Sequence, residues 1–413
     1  MRTIEVVMCV AVCFCGISLN TFGDSSDNGS RRSIDTTLKK ITVLETNNLV
    51  YSDRYTTVYL PKSPTEPEMR KLREYVKSRC ILTKSSDLQL FLELMEWVSL
   101  SWTHDASHAA PPRATSREIL ELGRAGERFR CQEYAQVYHD ILTSFGYVSR
   151  VLQLRKVGAA YSGLGAGHVA VEVYSNLLRK WVFMDPQMCC YLTKSDSRPL
   201  SFYELYQSWN KGEFSGIMVN TSPKITAREK FTDMNEFAST YKTFLQQYFG
   251  YQGITSVQSG ERVELRLKLD GKLNYLTFQG VPISHRAFTD DPDHLYFDLN
   301  KTIILFDYNR SIGWDDVFKR YDILSAEDYI ENMSKFAARP DFELTFRNSM
   351  PWFDYYEVQI DNGPWTKSKS SSFHWSLKSG DNMIRVRSVN SVGVQGPETF
   401  ARIRYAPDSS PDG

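Results

Sequence analysis

The sequence carries no excess charge of either sign: Lys+Arg and Asp+Glu each total 49 in 413 residues. A balanced chain offers no basic field for nucleic acid and no acidic tail, so no nucleic-acid partner is expected. Cysteine is scarce. Of seven in the chain, three (Cys9, Cys13 and Cys15) lie in the first fifteen residues. The others, Cys80, Cys131, Cys189 and Cys190, make no disulfide framework for a chain of this length. Long apolar runs are also missing. The stretch Val6 to Ile17 falls short of the ~20 residues that span a bilayer, and suits the core of a secretory signal ending near Thr21-Phe22-Gly23. Neither Cys13 nor Cys15 follows a small residue, so a lipoprotein anchor is not expected. The expectation is an exported protein, extracellular or periplasmic, with no transmembrane span beyond the signal.

What is present centres on Arg130-Cys131-Gln132-Glu133-Tyr134-Ala135. Apolar residues at Tyr134, Tyr138, Ile141, Leu142 and Phe145 recur at helical spacing, and Gly146 supplies a stop. Gly126-Glu127-Arg128 reads as a loop, which puts Cys131 in or beside the first helical turn. Unpaired amides and the positive dipole end favour a thiolate there. The dipole contributes at most ~2 kcal/mol, or roughly one pKa unit at ~1.4 kcal/mol each. Pairing with histidine can instead bring a thiol from about 8.5 to about 3–4. A nucleophilic Cys131 therefore needs an imidazole.

Gly167-His168-Val169-Ala170-Val171-Glu172-Val173-Tyr174 supplies one on a strand, with His168, Ala170, Glu172 and Tyr174 on one face. A second strand, Lys180 to Asp185, ends at Pro186. A hairpin with the loop Ser175–Leu178 pairs Tyr174 with Arg179 and sets His168 directly opposite Asp185, with Cβ atoms ~4.5–5.5 Å apart. A carboxylate there would hold one tautomer of the imidazole and stabilise its protonated form. A one-residue slip would destroy the arrangement. Each residue alone has a plainer reading, since a single Cys is usually a small buried hydrophobe and a strand His a packing residue; the ordered trio is what favours chemistry.

These residues resemble the transglutaminase-like superfamily of papain-like Cys-His-Asp enzymes. The resemblance rests on Phe129-Arg130-Cys131-Gln132-Glu133-Tyr134-Ala135, Phe145-Gly146-Tyr147, Gly167-His168-Val169-Ala170-Val171-Glu172-Val173 and Lys180-Trp181-Val182-Phe183-Met184-Asp185-Pro186. It covers roughly Asp87 to Gln207. Many relatives carry Gly immediately before the Cys, where this chain has Arg130. The resemblance implies an α+β transglutaminase-like core with N-terminal helices packed on an antiparallel sheet. It also implies Cys131 as nucleophile, His168 as general base and acid, and Asp185 as the residue orienting His168. Peptide or side-chain amides of a protein substrate would be attacked through a Cys thioester. Transfer to water would make a peptidase or amidase, and transfer to an amine a transglutaminase. No cofactor, metal or calcium loop is implied.

Elsewhere, helices are expected around Met69–Val76, from an Asp87 N-cap through Val98, at Phe202–Trp209 and around Asn235–Phe249. His104 and His108 share the spacing of a helical metal pair, but Pro111-Pro112 follows and no ligand pattern accompanies them, so a loop bordering the cleft is expected. Trp97 and Trp102 are read as packing residues rather than oxyanion donors. The glycine-rich stretch Val157 to Gly167 lacks a phosphate-loop ending and suggests a mobile cleft rim. Val263–Leu269, Tyr275–Phe278, Leu295–Leu299 and Thr302–Phe306 read as strands, and short strands from about Pro340 indicate a β-sandwich. The expected order is a signal peptide (1–23), an N-terminal extension (24–64), the transglutaminase-like domain (65–250), a β-rich module (251–338) and a fibronectin type III or immunoglobulin-like sandwich (339–407). The competing reading is a non-catalytic binding or scaffold protein that retains the fold, its β-modules binding a surface polymer or protein.

Overall fold

The computed structural model describes residues 39–48, 59–83, 86–157, 167–228, 231, 233–258, 260–270, 286–307, 318–319, 321–332 and 340–407. The expected signal, most of the glycine-rich stretch and the strand Tyr275–Phe278 lie outside them. The chain divides into two compact units, Met1–Leu38 with Gly313–Ala337, and Lys39–Ile312 with Ala338–Gly413.

In the larger unit, β1 (Lys39–Thr46) precedes α1 (Pro67–Lys77), α2 (Asp87–Ser99), α3 (Ser116–Arg124) and α4 (Cys131–Ser144). Then come β2 (Ser149–Arg155), β3 (Gly167–Ser175), β4 (Lys180–Met184), β5 (Cys190–Thr193), α5 (Phe202–Asn210), β6 (Met218–Thr221), α6 (Pro223–Arg228), α7 (Met234–Gln246), β7 (Tyr251–Gln258), β8 (Glu261–Lys268), β9 (Arg286–Thr289) and β10 (Thr302–Asp307). The helices start where their caps dictate. Ser86, one residue before the expected Asp87, caps α2 by accepting from the Gln89 amide. Asp87 instead accepts from Ser175 Oγ and the Leu177 amide, tying α2 to the β3–β4 turn.

A six-stranded sheet, ordered β4-β3-β2-β7-β8-β9, forms the middle layer. Its pairs are antiparallel except β8–β9, which is parallel. The residues of β3 alternate between two cores. Val169, Val171 and Val173 face Leu72, Phe91, Leu94 and Tyr138 from α1, α2 and α4. Ala170 faces the other way, toward Phe202, Leu205, Tyr241 and Leu245 of α5 and α7. Burial on both faces explains why this strand is almost continuously apolar. Its one buried carboxylate, Glu172, is paired with Arg150 (2.9 Å) and accepts from the Phe202 amide and Tyr296 hydroxyl. An unpaired charge at that depth would be costly.

The C-terminal strands are β11 (Asp341–Asn348), β12 (Phe353–Ile360), β13 (Thr366–Ser368), β14 (Ser372–Ser376), β15 (Gly380–Asn390) and β16 (Thr399–Pro407). They form two sheets, β1-β16-β15-β12-β13 and β10-β11-β14, closed over one core around Leu344, Val358, Trp375, Ile384 and Ile403. The contiguous domains expected from sequence need correction here. β1, from the supposed extension, covers the edge of β16, and β10 covers that of β11. β7 to β9 extend the central sheet, so 251–338 is not a separate module. Leu295–Leu299 is not a strand, following instead a short 3-10 turn, Pro292–His294. The smaller unit contributes α8 (Ala326–Asn332), whose start is held by Ser325 Oγ accepting from the Asp328 amide.

The sandwich grips the back of the α4 domain. Gly146 takes φ +87 at the end of α4, and its amide and that of Tyr147 satisfy the carbonyls of Thr143 and Leu142. The Asn390 side chain donates to the Gly146 carbonyl (2.9 Å), and a Cβ at Gly146 would collide with Val392. Asn176 and Arg179 in the β3–β4 turn donate to the carbonyls of Gln395 and Glu398. A cleft of about 900 Å³ opens at this junction, lined by Arg73, Asp87, Tyr147, Leu177, Val392 and Gln395. Gly146→Ala is expected to lower the unfolding free energy by about 2–4 kcal/mol, from left-handed backbone cost plus overpacking. Adding Val392→Ala should recover part of that loss in a denaturant titration. An equal loss with and without Val392 would show that the sandwich does not press on the helix end.

Candidate active site

The chain path sets three polar side chains at one level. From Cys131, α4 runs for 14 residues, about 21 Å at ~1.5 Å per residue. The turn at Gly146 reverses it into β2, whose 7 residues cover about 23 Å at ~3.3 Å each. The end of β2 therefore returns to the level of Cys131. There Leu154 pairs with His168. β4 runs antiparallel to β3, so its exit, Asp185, reaches the same end of the sheet.

The hairpin register differs from expectation by two residues. Ser175 pairs with Lys180, and Val171 with Met184, so the turn is Asn176–Arg179 and Asp185 lies diagonal to His168 rather than opposite it. A two-residue shift preserves the face of every side chain. The contact survives for that reason: His168 Nε2 and Asp185 Oδ2 are 2.8 Å apart. The Cys131 sulfur lies close enough to the imidazole to favour its protonated form.

Asp185 is fixed by its turn. Pro186 ends the strand, and Asp185 exchanges backbone hydrogen bonds with Cys190 (2.9 and 3.2 Å). Its Oδ1 accepts from the amides of Gln187 and Met188, the local side-chain turn that Asp favours. Its Oδ2 accepts from the Tyr241 hydroxyl (2.9 Å) as well as facing His168. His168 is 3 % exposed and Asp185 0 %. Phe244 and Tyr248 close over the imidazole, with ring centroids 5.0 and 5.7 Å away. Burial disfavours the imidazolium, but the Asp185 carboxylate and the Cys131 sulfur outweigh it and raise the His168 pKa to about 10. Burial acts against the Asp185 carboxylate too. The facing imidazole and the hydrogen bonds from Tyr241 and Met188 prevail, holding Asp185 below the usual range.

Arg130 takes the N-cap position with φ −77 and ψ 173, ordinary extended backbone, so no glycine is required there. Glu133 Oε2 accepts from the Arg130 amide, which is one half of a capping box, while the guanidinium forks onto the same carboxylate. Glu133 also accepts from the Ala110 amide. The loop at Thr103–Asp105 borders the site: Asp105 donates its amide to the Phe129 carbonyl (2.9 Å). His104 bridges Phe129 through its backbone, and His108 faces Glu127 at 3.3 Å. Among the described residues no His, Cys, Asp or Glu cluster could hold a metal ion. Trp102 packs on Phe129 and Tyr134, and Trp97 lies against the same core. Among the described residues Cys80, Cys131, Cys189 and Cys190 form no disulfide. Burial first, then Glu93 and Glu96, push Cys80 up to about 11.

The residues missed from sequence are Tyr241, Phe244 and Tyr248. They lie on α7 and the turn after it, where spacings of three and four look like an ordinary buried stripe.

Comparison with known proteins bears on residues 74–186, which match the family model of the transglutaminase-like superfamily. Curated proteins yield no match. Among solved structures, the crystal structure of red sea bream transglutaminase is similar at 9 % identity and a TM-score of 0.25, over 82 % of this chain and 73 % of that one; so distant a likeness carries no argument about this fold. No helix among the described residues is long and apolar enough to cross a membrane. The segment that holds Cys131, His168 and Asp185 thus matches the transglutaminase-like superfamily, and it is set in a mixed α+β chain with a β-rich C-terminal region.

Proposed function

We propose that the chain is a cysteine acyltransferase or hydrolase acting on peptide or side-chain amides. The observation that carries this reading is one buried imidazole held by Asp185, with the Cys131 sulfur close enough to act on its charge. Cys131 begins α4, where the first amides have no partner within the helix.

The Cys131 thiolate attacks the amide carbonyl and forms a C–S bond. The oxyanion lies against the Cys131 backbone N–H. His168 gives its proton to the leaving nitrogen as the C–N bond breaks, leaving a thioester. Water or an amine then attacks, His168 takes the proton from that nucleophile, and the C–S bond breaks to regenerate the thiolate. Asp185 keeps His168 oriented throughout and stabilises it whenever it carries the proton. The apolar stretch Val6–Ile17 supports an exported form. The C-terminal sheets would supply contacts to a surface polymer or protein.

Iodoacetamide is expected to alkylate Cys131 selectively well below pH ~8.5, where an ordinary thiol titrates, and His168→Ala should abolish that selectivity. Adduct mapping by mass spectrometry reads both, and ordinary thiol behaviour at Cys131 would sink the enzyme reading in favour of a binding role. Asp185→Asn should slow acyl-enzyme formation on a peptide library by roughly 10²–10⁴-fold, with labelled cadaverine against water as acceptors separating amine transfer from hydrolysis. The raised His168 pKa also has a sign in stability. Its contribution is complete below the unfolded value near ~6.5 and is lost as pH rises through about 10. Melting temperature should therefore fall across that interval in the native chain, and less steeply in His168→Ala.

A further inference from the structure

We propose that Tyr241 is a positioning residue for the His168–Asp185 pair: its phenol proton occupies the same carboxylate oxygen that holds the imidazole, and so sets how firmly His168 keeps its own proton. The proposal rests on the trio acting as described above, and it assigns a role to a residue outside the family-matched segment 74–186.

The hydrogen bonds into Asp185 leave little choice. An ionised carboxylate only accepts, through about four lone-pair sites. Oδ1 is taken by the Gln187 and Met188 amides. Oδ2 receives His168 Nε2 at 2.8 Å and the Tyr241 hydroxyl at 2.9 Å. All four sites are used, and Asp185 has no exposed surface through which water could replace a lost donor. Tyr241 has a single hydroxyl proton, which goes to Asp185. At Oδ2 the phenol therefore meets His168.

Position makes this more than packing. A donor on Oδ1 would chiefly hold the turn, and the two backbone amides already do so. A donor on Oδ2 competes with the imidazolium for the same charge, because a hydrogen bond to an anion stabilises it and weakens its pull on a second donor. Phe237 stacks on the Tyr241 ring at 6.0 Å with an interplanar angle of 6°, and both are fully enclosed. The phenol is therefore held in place and does not swing away.

The test is the pH dependence of Cys131 alkylation by iodoacetamide in the full chain, between about pH 4 and 11. The wild type should show two rises, the first as the thiolate forms beside the imidazolium, the second as His168 loses its proton. Tyr241→Phe removes only the hydroxyl, so Oδ2 pulls on His168 alone. The second rise is expected to move up by about half a pH unit or more, with the rate of acyl transfer from a peptide amide falling several-fold. Replacing Tyr241 with 3-fluorotyrosine keeps the ring and strengthens the donor, and should move the second rise down. These opposite shifts are something a packing role would not produce. Profiles for both variants that superimpose on the wild type would overturn the proposal while leaving the enzyme reading intact. A single ordinary thiol rise in the wild type would remove both. Should the phenylalanine variant fail to fold by circular dichroism, the fluorinated chain alone decides, with no downward movement counting against the proposal.

Discussion

The site depends on one buried carboxylate and what it is made to hold. Asp185 has no exposed surface, so an unsatisfied charge there would be expensive. Two backbone amides, a phenol and an imidazole satisfy it instead. The same arrangement turns a costly charge into a device. With its negative charge fixed beside His168, the imidazole favours the protonated form even though burial opposes it. A protonated imidazole next to sulfur is what a thiolate needs in order to form below the range of an ordinary cysteine. The turn at Pro186 matters as much as the strand, because its Gln187 and Met188 amides hold the other carboxylate oxygen.

The rest of the fold keeps that contact at one level. A helix and a strand of matched length return the chain to the height of Cys131, and antiparallel pairing then delivers His168 and Asp185 to the same end of the sheet. The opposite end of α4 is also held. Asn390 bonds the Gly146 carbonyl, and Asn176 and Arg179 tie the β3–β4 turn to the same part of the sandwich. The sandwich thus touches the far ends of both elements that carry the site. The cleft of about 900 Å³ at this junction lies at the end of α4 remote from Cys131, about 20 Å away by helix rise. Its size reflects how two bodies meet and does not mark the chemistry.

Much of this could be read from the sequence, for reasons that differ by element. Helix α4 announced itself through apolar spacing and its glycine stop. β3 and β4 did so through alternation and a proline. The hairpin register was off by two residues, yet the face assignment survived, because side-chain direction in a strand depends only on parity. Tyr241 was invisible for the opposite reason. Phe237, Tyr241, Phe244 and Tyr248 follow the spacing of any buried helical stripe, and nothing local reveals that one hydroxyl meets a carboxylate 56 positions earlier in the chain. Domain limits failed where pairing was remote. β1 joins β16 across most of the chain's length, and β10 joins β11; no linear boundary can represent such pairs.

Arg130 shows how the position before the nucleophile works without glycine. A glycine would be demanded by left-handed backbone or by close approach, and φ −77 is neither strained nor unusual. The N-cap task normally done by a Ser or Thr oxygen is beyond a guanidinium, which only donates. Glu133 supplies the reciprocal half by accepting from the Arg130 amide, and the guanidinium adds a two-point grip on the same carboxylate, which also holds the Ala110 amide. Glu133 is nearly fully buried while Arg130 remains partly exposed. The carboxylate is therefore the fixed partner, and the arginine lies over it. The guanidinium is held charged first by Glu133 and then by its nearness to Cys131, which places a permanent cation beside the start of α4.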